Sequence, residues 1–150
     1  MIQRVQTLYL LLTGVLMAIT LFFPLLAFQA EGEFYKMDAF RIAGQMGAET
    51  FSTIGLFFVG ALSALLALVS IFFYKKRSLQ IKLTMFNIFL MVAFVAYVLV
   101  LGFNFSVRLN AEWRPAFAMA LPVISIILSW LAIKGIRADE ALVRSLDRIR

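Results

Sequence analysis

The sequence predicts an all-α protein, an integral-membrane four-helix transmembrane bundle with a short cytoplasmic C-terminal amphipathic helix. Hydrophobic residues make up 63% of the 150 positions, whereas soluble domains hold about 45–50%. The mean hydropathy of +0.97 agrees. These residues gather into four long runs free of Asp, Glu, Lys and Arg, each long enough to cross a hydrocarbon core about 30 Å thick. The closing segment 138–150, ADEALVRSLDRIR, is densely charged and carries apolar residues at helical spacing.

The first span is placed at about 7–28. A signal peptide is the rival reading of this stretch, but its apolar region usually ends within about 7–15 residues, and Ala27-Phe28-Gln29 is not a small-x-small cleavage site. Pro24 falls in the last turn of the expected helix, where neighbouring helices can satisfy the freed carbonyl. An outer loop follows at 29–49 with Glu31, Glu33, Lys36, Asp38, Arg41 and Glu49. The interspersed Phe34, Tyr35, Met37, Phe40 and Ile42 allow it to pack on the membrane surface or to form a short hairpin.

The second span, about 50–74, carries Gly60, Ser63, Ala64 and Ala67 at three- and four-residue spacing, a flat strip that lets another helix approach closely. The cytoplasmic loop 75–82, KKRSLQIK, has four positive charges and no negative one. In the third span, about 83–107, Asn87, Tyr97 and Asn104 hydrogen-bond across helices, reach the interface or line a polar path. The fourth span, about 115–136, starts at Pro115, a suitable first helical residue because its missing N–H costs nothing there. Pro122 is expected to kink it. Trp113 and Trp130 stand near its ends, where amphipathic rings favour the headgroup region. Ser125 and Ser129 share one face, suited to packing and to back-bonding onto carbonyls.

Four spans put the amino end, the 75–82 loop and the tail on one side. That side holds Arg4, Lys75, Lys76, Arg77, Lys82, Lys134, Arg137, Arg144, Arg148 and Arg150; the other holds Lys36, Arg41, Arg108 and Arg114. Ten cations against four place both termini in the cytoplasm. In the tail, Leu142, Val143, Leu146 and Ile149 form an apolar stripe, with Glu140, Arg144, Asp147 and Arg148 opposite. Asp139 and Arg150 intrude on the apolar sector. Glu140 and Arg144 are a favourably oriented i,i+4 pair. A basic amphipathic helix of this kind suits the inner leaflet, with arginines near lipid phosphates, or docks on a cytoplasmic protein. The candidate contacts are Lys75, Lys76, Arg77, Lys82, Asp139, Glu140, Leu142, Val143, Arg144, Leu146, Asp147, Arg148 and Arg150.

The pI near 10.1 reflects topology signals and contacts with anionic headgroups rather than nucleic acid. The chain has no Cys and no His, which removes thiol nucleophiles, thiolate metal sites and the commonest general base. No catalytic, cofactor or metal residue is nominated. Ser125 and Ser129 have no base within a turn, and the acids of the outer loop do not match a calcium-binding loop. The spans lack the intramembrane charge on which proton-coupled pumps rely. These absences favour a non-enzymatic accessory, structural or interaction protein acting through its cytoplasmic face. The alternative is a small transporter or channel for an uncharged or lipid-like substrate, and a membrane-embedded enzyme comes third.

The opening MIQRVQTLYLLL and the closing IRADEALVRSLDRIR resemble a bacterial family of small inner-membrane proteins, domain of unknown function 4293. The matching positions are Met1, Ile2, Gln3, Arg4 and Gln6 at the front. At the end they are Asp139, Glu140, Leu142, Val143, Arg144, Ser145, Asp147, Arg148 and Arg150. The resemblance runs the whole length and implies a four-helix protein of the bacterial inner membrane. It supplies no activity.

Overall fold

The computed structural model describes residues 2–30, 32–44 and 51–147, with side chains for 5–30, 32–44 and 51–145. Four helices dominate it: α1 (Ile2–Thr20), α2 (Ile54–Phe72), α3 (Arg77–Leu109) and α4 (Ala120–Asp147). The all-α expectation is corrected by five strands, β1 (Leu26–Ala30), β2 (Glu33–Met37), β3 (Arg41–Gly44), β4 (Phe51–Ser52) and β5 (Glu112–Pro115). They form one antiparallel sheet in the order β4-β3-β2-β1-β5. Three helical segments, Ile54–Phe72, Arg77–Leu109 and Phe117–Ser145, are long and apolar enough to cross a membrane, and Val5–Thr20 is a shorter apolar one.

The helices pack in ring order, α1 against α2 and α4, and α3 against α2 and α4. Buried positions recur at alternating intervals of four and three. In α1 they are Gln6, Leu10, Thr13, Met17 and Thr20; in α2, Leu56, Gly60, Ser63, Ala67 and Ser70; in α3, Gln80, Thr84, Asn87, Met91, Phe94 and Val98. That period is the one that keeps a seam facing its neighbours in left-handed bundles. Many seam residues are small or polar, while Phe58, Phe72, Phe89 and Phe103 lie 64–79% exposed on the outside. This inverts the order of a water-soluble bundle and suits a surround as apolar as leucine.

The apolar run of the first span outlasts its helix. Pro24 disfavours helical geometry at Phe23, and the chain leaves α1 through turns in which Leu21 N–H donates to Ala18 O and Phe22 N–H to Ile19 O. Residues 26–30 then enter the sheet, so Pro24 stands beyond the helix rather than in its last turn. The hairpin foreseen in the 29–49 loop is part of a larger structure. Gly32 turns it with φ at +87°, in the region that favours glycine. Asp38 shapes the next corner, its Oδ1 accepting from the Phe40 and Arg41 N–H groups at 2.8 Å each, as an Asx turn does. The carboxylate is thus committed to the backbone.

Pro115 does not begin a helix. It pairs with Leu26 at the end of β5, an edge strand, where a residue without N–H is tolerated. β5 pairs with β1 on the edge away from β2 and satisfies the backbone groups there. A 3-10 turn (Phe117–Met119) then leads into α4. Pro122 therefore lies in the first turn of α4, where few intrahelical bonds are at stake, and not in its interior.

At the opposite end the expected 75–82 loop shrinks to a tight turn. Lys76 N–H donates to Phe73 O at 2.8 Å, and the N–H groups of Leu79 and Gln80 both donate to Lys76 O at 3.0 Å, so α3 is already under way at Arg77. The tail is not a separate helix either: α4 continues unbroken through Gly135 to Asp147. Gly135 is kept small by Gln6, whose Cγ lies 3.1 Å from where a Cβ would stand.

The sheet sits on the bundle through one aromatic knob. Phe105, near the end of α3, meets Phe28, Tyr35 and Phe51 edge-on with centroids 5.0, 5.6 and 5.4 Å away, near the preferred geometry for ring pairs. Leu26 reaches over Gly102, where a Cβ would collide with its Cδ1. Asn110 ends α3 in the left-handed region, φ 45° and ψ 40°, a role asparagine fills when glycine does not.

Candidate functional site

The turn between α2 and α3 and the last turns of α4 enclose an open groove of about 610 Å³, lined by Lys75, Lys76, Arg77, Ser78, Leu79, Lys82, Glu140, Val143 and Arg144. The tight turn projects three cations at once, and Lys82 follows on the first turns of α3. From α4, Glu140 and Arg144 face them one helical turn apart, joined at 2.7 Å. The only carboxylate among the described lining residues is thereby held on an arginine of the same helix. Lys75 Nζ stands 5.9 Å from the centroid of the Tyr74 ring. Five cations line one concave surface, and such a surface draws anions.

Seven of the nominated contacts meet here: Lys75, Lys76, Arg77, Lys82, Glu140, Val143 and Arg144. Leu142 is exposed and outside the lining, and Asp139 is half-buried and also outside it. The α4 backbone includes Leu146 and Asp147, but their side chains, with Arg148, Ile149 and Arg150, lie outside the described residues.

The polar residues singled out in the third and fourth spans fall in different places. Ser125 and Ser129 are wholly buried where α1 meets α4; Thr13 Oγ1 is 3.3 Å from Ser129 Oγ and donates to Ser125 O at 3.4 Å. Asn87 is fully buried and accepts from Ser63 Oγ at 2.8 Å, the cross-helix bond its position suggested. Gly14 brings α1 onto α2 beside Ala64, so Thr13, Ser63, Asn87 and Ser129, one from each helix, stand at about one level. Tyr97 is 39% exposed, with its hydroxyl beside Gly55. Asn104 is exposed and lines a cavity of about 350 Å³ beside β4, with Phe105 and Arg108.

A second feature was missed in the sequence. Met85, Ile88, Trp130, Ile133 and Arg137 line a crevice of about 280 Å³ between α3 and α4. Arg137 Nη2 lies 3.8 Å from Met85 Sδ, and Lys134 Nζ stands 5.5 Å from the Trp130 ring centroid, within cation–π range. Its signal was available as the i, i+3 pair on α3 and the spacing of 130, 133 and 137 on α4, but only the pairing of these two helices brings the faces together. Among the described residues no group of three or more Asp and Glu could hold a metal ion.

The fold and the groove define a helical protein, capped by a sheet, with helices apolar enough to cross a membrane and one strongly basic end. The chain belongs to the family described as Domain of unknown function (DUF4293), whose model matches residues 2–149. No curated protein matches the chain.

Proposed function

We propose that the chain is a four-span protein of the bacterial inner membrane with both termini in the cytoplasm, acting without catalysis as an accessory or structural protein. Its working surface is the basic groove, which receives negative charge at the cytoplasmic surface, foremost anionic headgroups. The observation that carries this reading is the convergence of the α2–α3 turn with the last turns of α4 on one cationic concavity. The segregation of charge supports the orientation. Lys36, Arg41, Arg108 and Arg114 belong to the sheet and its junction with α3, at the other end from the groove. α1, at 19 residues, is about 28 Å long and with modest bilayer thinning serves as the fourth span. The close-packed seams, with Ser125, Ser129 and Asn87 all fully buried, favour an accessory protein over a transporter.

The test is capture in mild detergent. The full chain is compared with a truncation lacking 138–150 and with a variant in which Lys75, Lys76, Arg77 and Lys82 are all glutamine. The full chain is expected to retain anionic lipid or an acidic partner that both variants lose. Equal retention by all three, with the truncation leaving cells unaffected, would remove the groove as the working surface.

A further inference from the structure

We propose that the crevice between α3 and α4 is a discrete binding site for one anionic phospholipid, with an acyl chain in the apolar slot and the phosphate held at its mouth by Lys134 and Arg137. The slot and the basic groove are successive stretches of one seam. On α3, Lys82 lines the groove, and Met85 and Ile88, one and two turns on, line the slot; on α4, Arg137 lines the slot, and Glu140 and Arg144 line the groove. Polarity therefore changes along the seam in the sense of a lipid, cationic towards the helix ends and apolar towards the bundle's middle.

The walls fit that occupant. Met85 and Trp130 are 51% and 56% exposed while Ile133 is 6% exposed, so the slot has a buried floor and an open side facing the surround of the bundle. An indole at this depth favours the headgroup boundary. The Lys134 ammonium stands over the Trp130 ring and the Arg137 guanidinium against the Met85 sulfur, so both charged heads are set on side chains that line the slot. Neither has a carboxylate partner among the described residues. Two unpaired cations over an apolar slot call for a ligand that is anionic at one end and greasy at the other. A zwitterionic lipid supplies the chain without the net charge, and a free phosphate supplies the charge without the chain.

The inference rests on the membrane placement proposed above and not on what the groove binds. Native mass spectrometry of the full chain in mild detergent tests it, with phosphatidylglycerol, phosphatidylcholine of identical chains and glycerol phosphate as separate probes. One phosphatidylglycerol is expected to stay bound, with phosphatidylcholine and glycerol phosphate each held at least tenfold more weakly. The Lys134→Gln, Arg137→Gln pair should weaken phosphatidylglycerol binding about thirtyfold, the sum of about 1 kcal/mol for each of the two cations. Lys36→Gln, on the exposed face of β2, should leave it unchanged. Equal retention of phosphatidylcholine, equal affinity for glycerol phosphate, or unaltered binding in the double variant would each overturn the site. Failure of the membrane placement is read separately, from the sidedness of single-cysteine labels.

Discussion

Phe105→Ala should uncouple the sheet from the bundle. Phe105 is 5% exposed, and its ring is touched by Phe28 of β1, Tyr35 of β2 and Phe51 of β4 at 5.0–5.6 Å. Truncating a buried Phe to Ala costs about 3–5 kcal/mol, and edge-on pairs contribute about 0.5–1.5 kcal/mol each beyond burial. The second range is contained in the first, so a total near 4 kcal/mol is expected, unless the sheet settles into the void. Denaturant titration in micelles, followed by near-UV circular dichroism, measures the total. Amide exchange locates it: β1 and β2 should lose protection while the level of Ser63 and Asn87 keeps it, because opening is local where contacts are few. Phe103→Ala, two residues away and 64% exposed, is the control, with an expected cost below about 0.5 kcal/mol. If Phe105→Ala cost under about 1 kcal/mol, or exchange rose uniformly, the knob would not be what fastens the sheet.

The remaining tests probe the seams and the orientation. Ser63→Ala and Asn87→Leu should show a coupling of about 0.6–1.7 kcal/mol in a double-mutant cycle, and Ser63→Ala alone should cost more than its share, since it leaves the buried Asn87 amide wholly unpaired. Gly60→Val should destabilise by about 1–3 kcal/mol, because a Cβ there would stand 2.5 Å from Leu21 Cδ2 and 3.1 Å from Phe94 Cε2; denaturant titration reads the loss. The chain has no native cysteine, so single cysteines at Ser78 and Gly32 report sidedness directly. A membrane-impermeant maleimide should label Gly32→Cys from outside intact cells and Ser78→Cys only after lysis, and the reverse pattern would invert the topology.

The helices were legible because their signal is local. Uninterrupted apolar stretches are read from composition, and the basic turn at 75–82 was visible as charge. The sheet was not legible, for a physical reason. Leu26, Ala27 and Phe28 are as apolar as the helix before them, and only pairing with residues 33–37 and 112–115 makes them a strand. Pro24 was the available clue, since a proline at the end of a greasy stretch can end the helix as well as kink it. Trp113, Arg114 and Pro115 were read as a loop and a helix start; their partner lies far away in sequence, beyond any periodicity. The groove was half legible. Its residues were nominated from two separate segments, but their convergence depends on α4 running straight on past Gly135. The crevice between α3 and α4 needed the ring order of the helices before its two faces could be seen as one.

The two ends of the molecule differ in how they are held, and that bears on how it can act. At the sheet end, all four helices lead into or out of the paired strands, so movement there must break backbone hydrogen bonds as well as the contacts of Phe105. At the groove end, a turn of a few residues joins α2 to α3, and α4 projects with Leu142 and Val143 exposed at 55% and 44%. The ion pair near its tip, Glu140 with Arg144, has an arginine side chain 79% exposed and contributes only about 0.2–0.5 kcal/mol. A binding event at the groove therefore meets little resistance from α4's last turns and much from the far end. The polar level of Thr13, Ser63, Asn87 and Ser129 lies between them, and shifting one helix there would trade hydrogen bonds for unpaired groups. Ligand-driven motion should accordingly be confined to the last turns of α4, with the sheet serving as the fixed end.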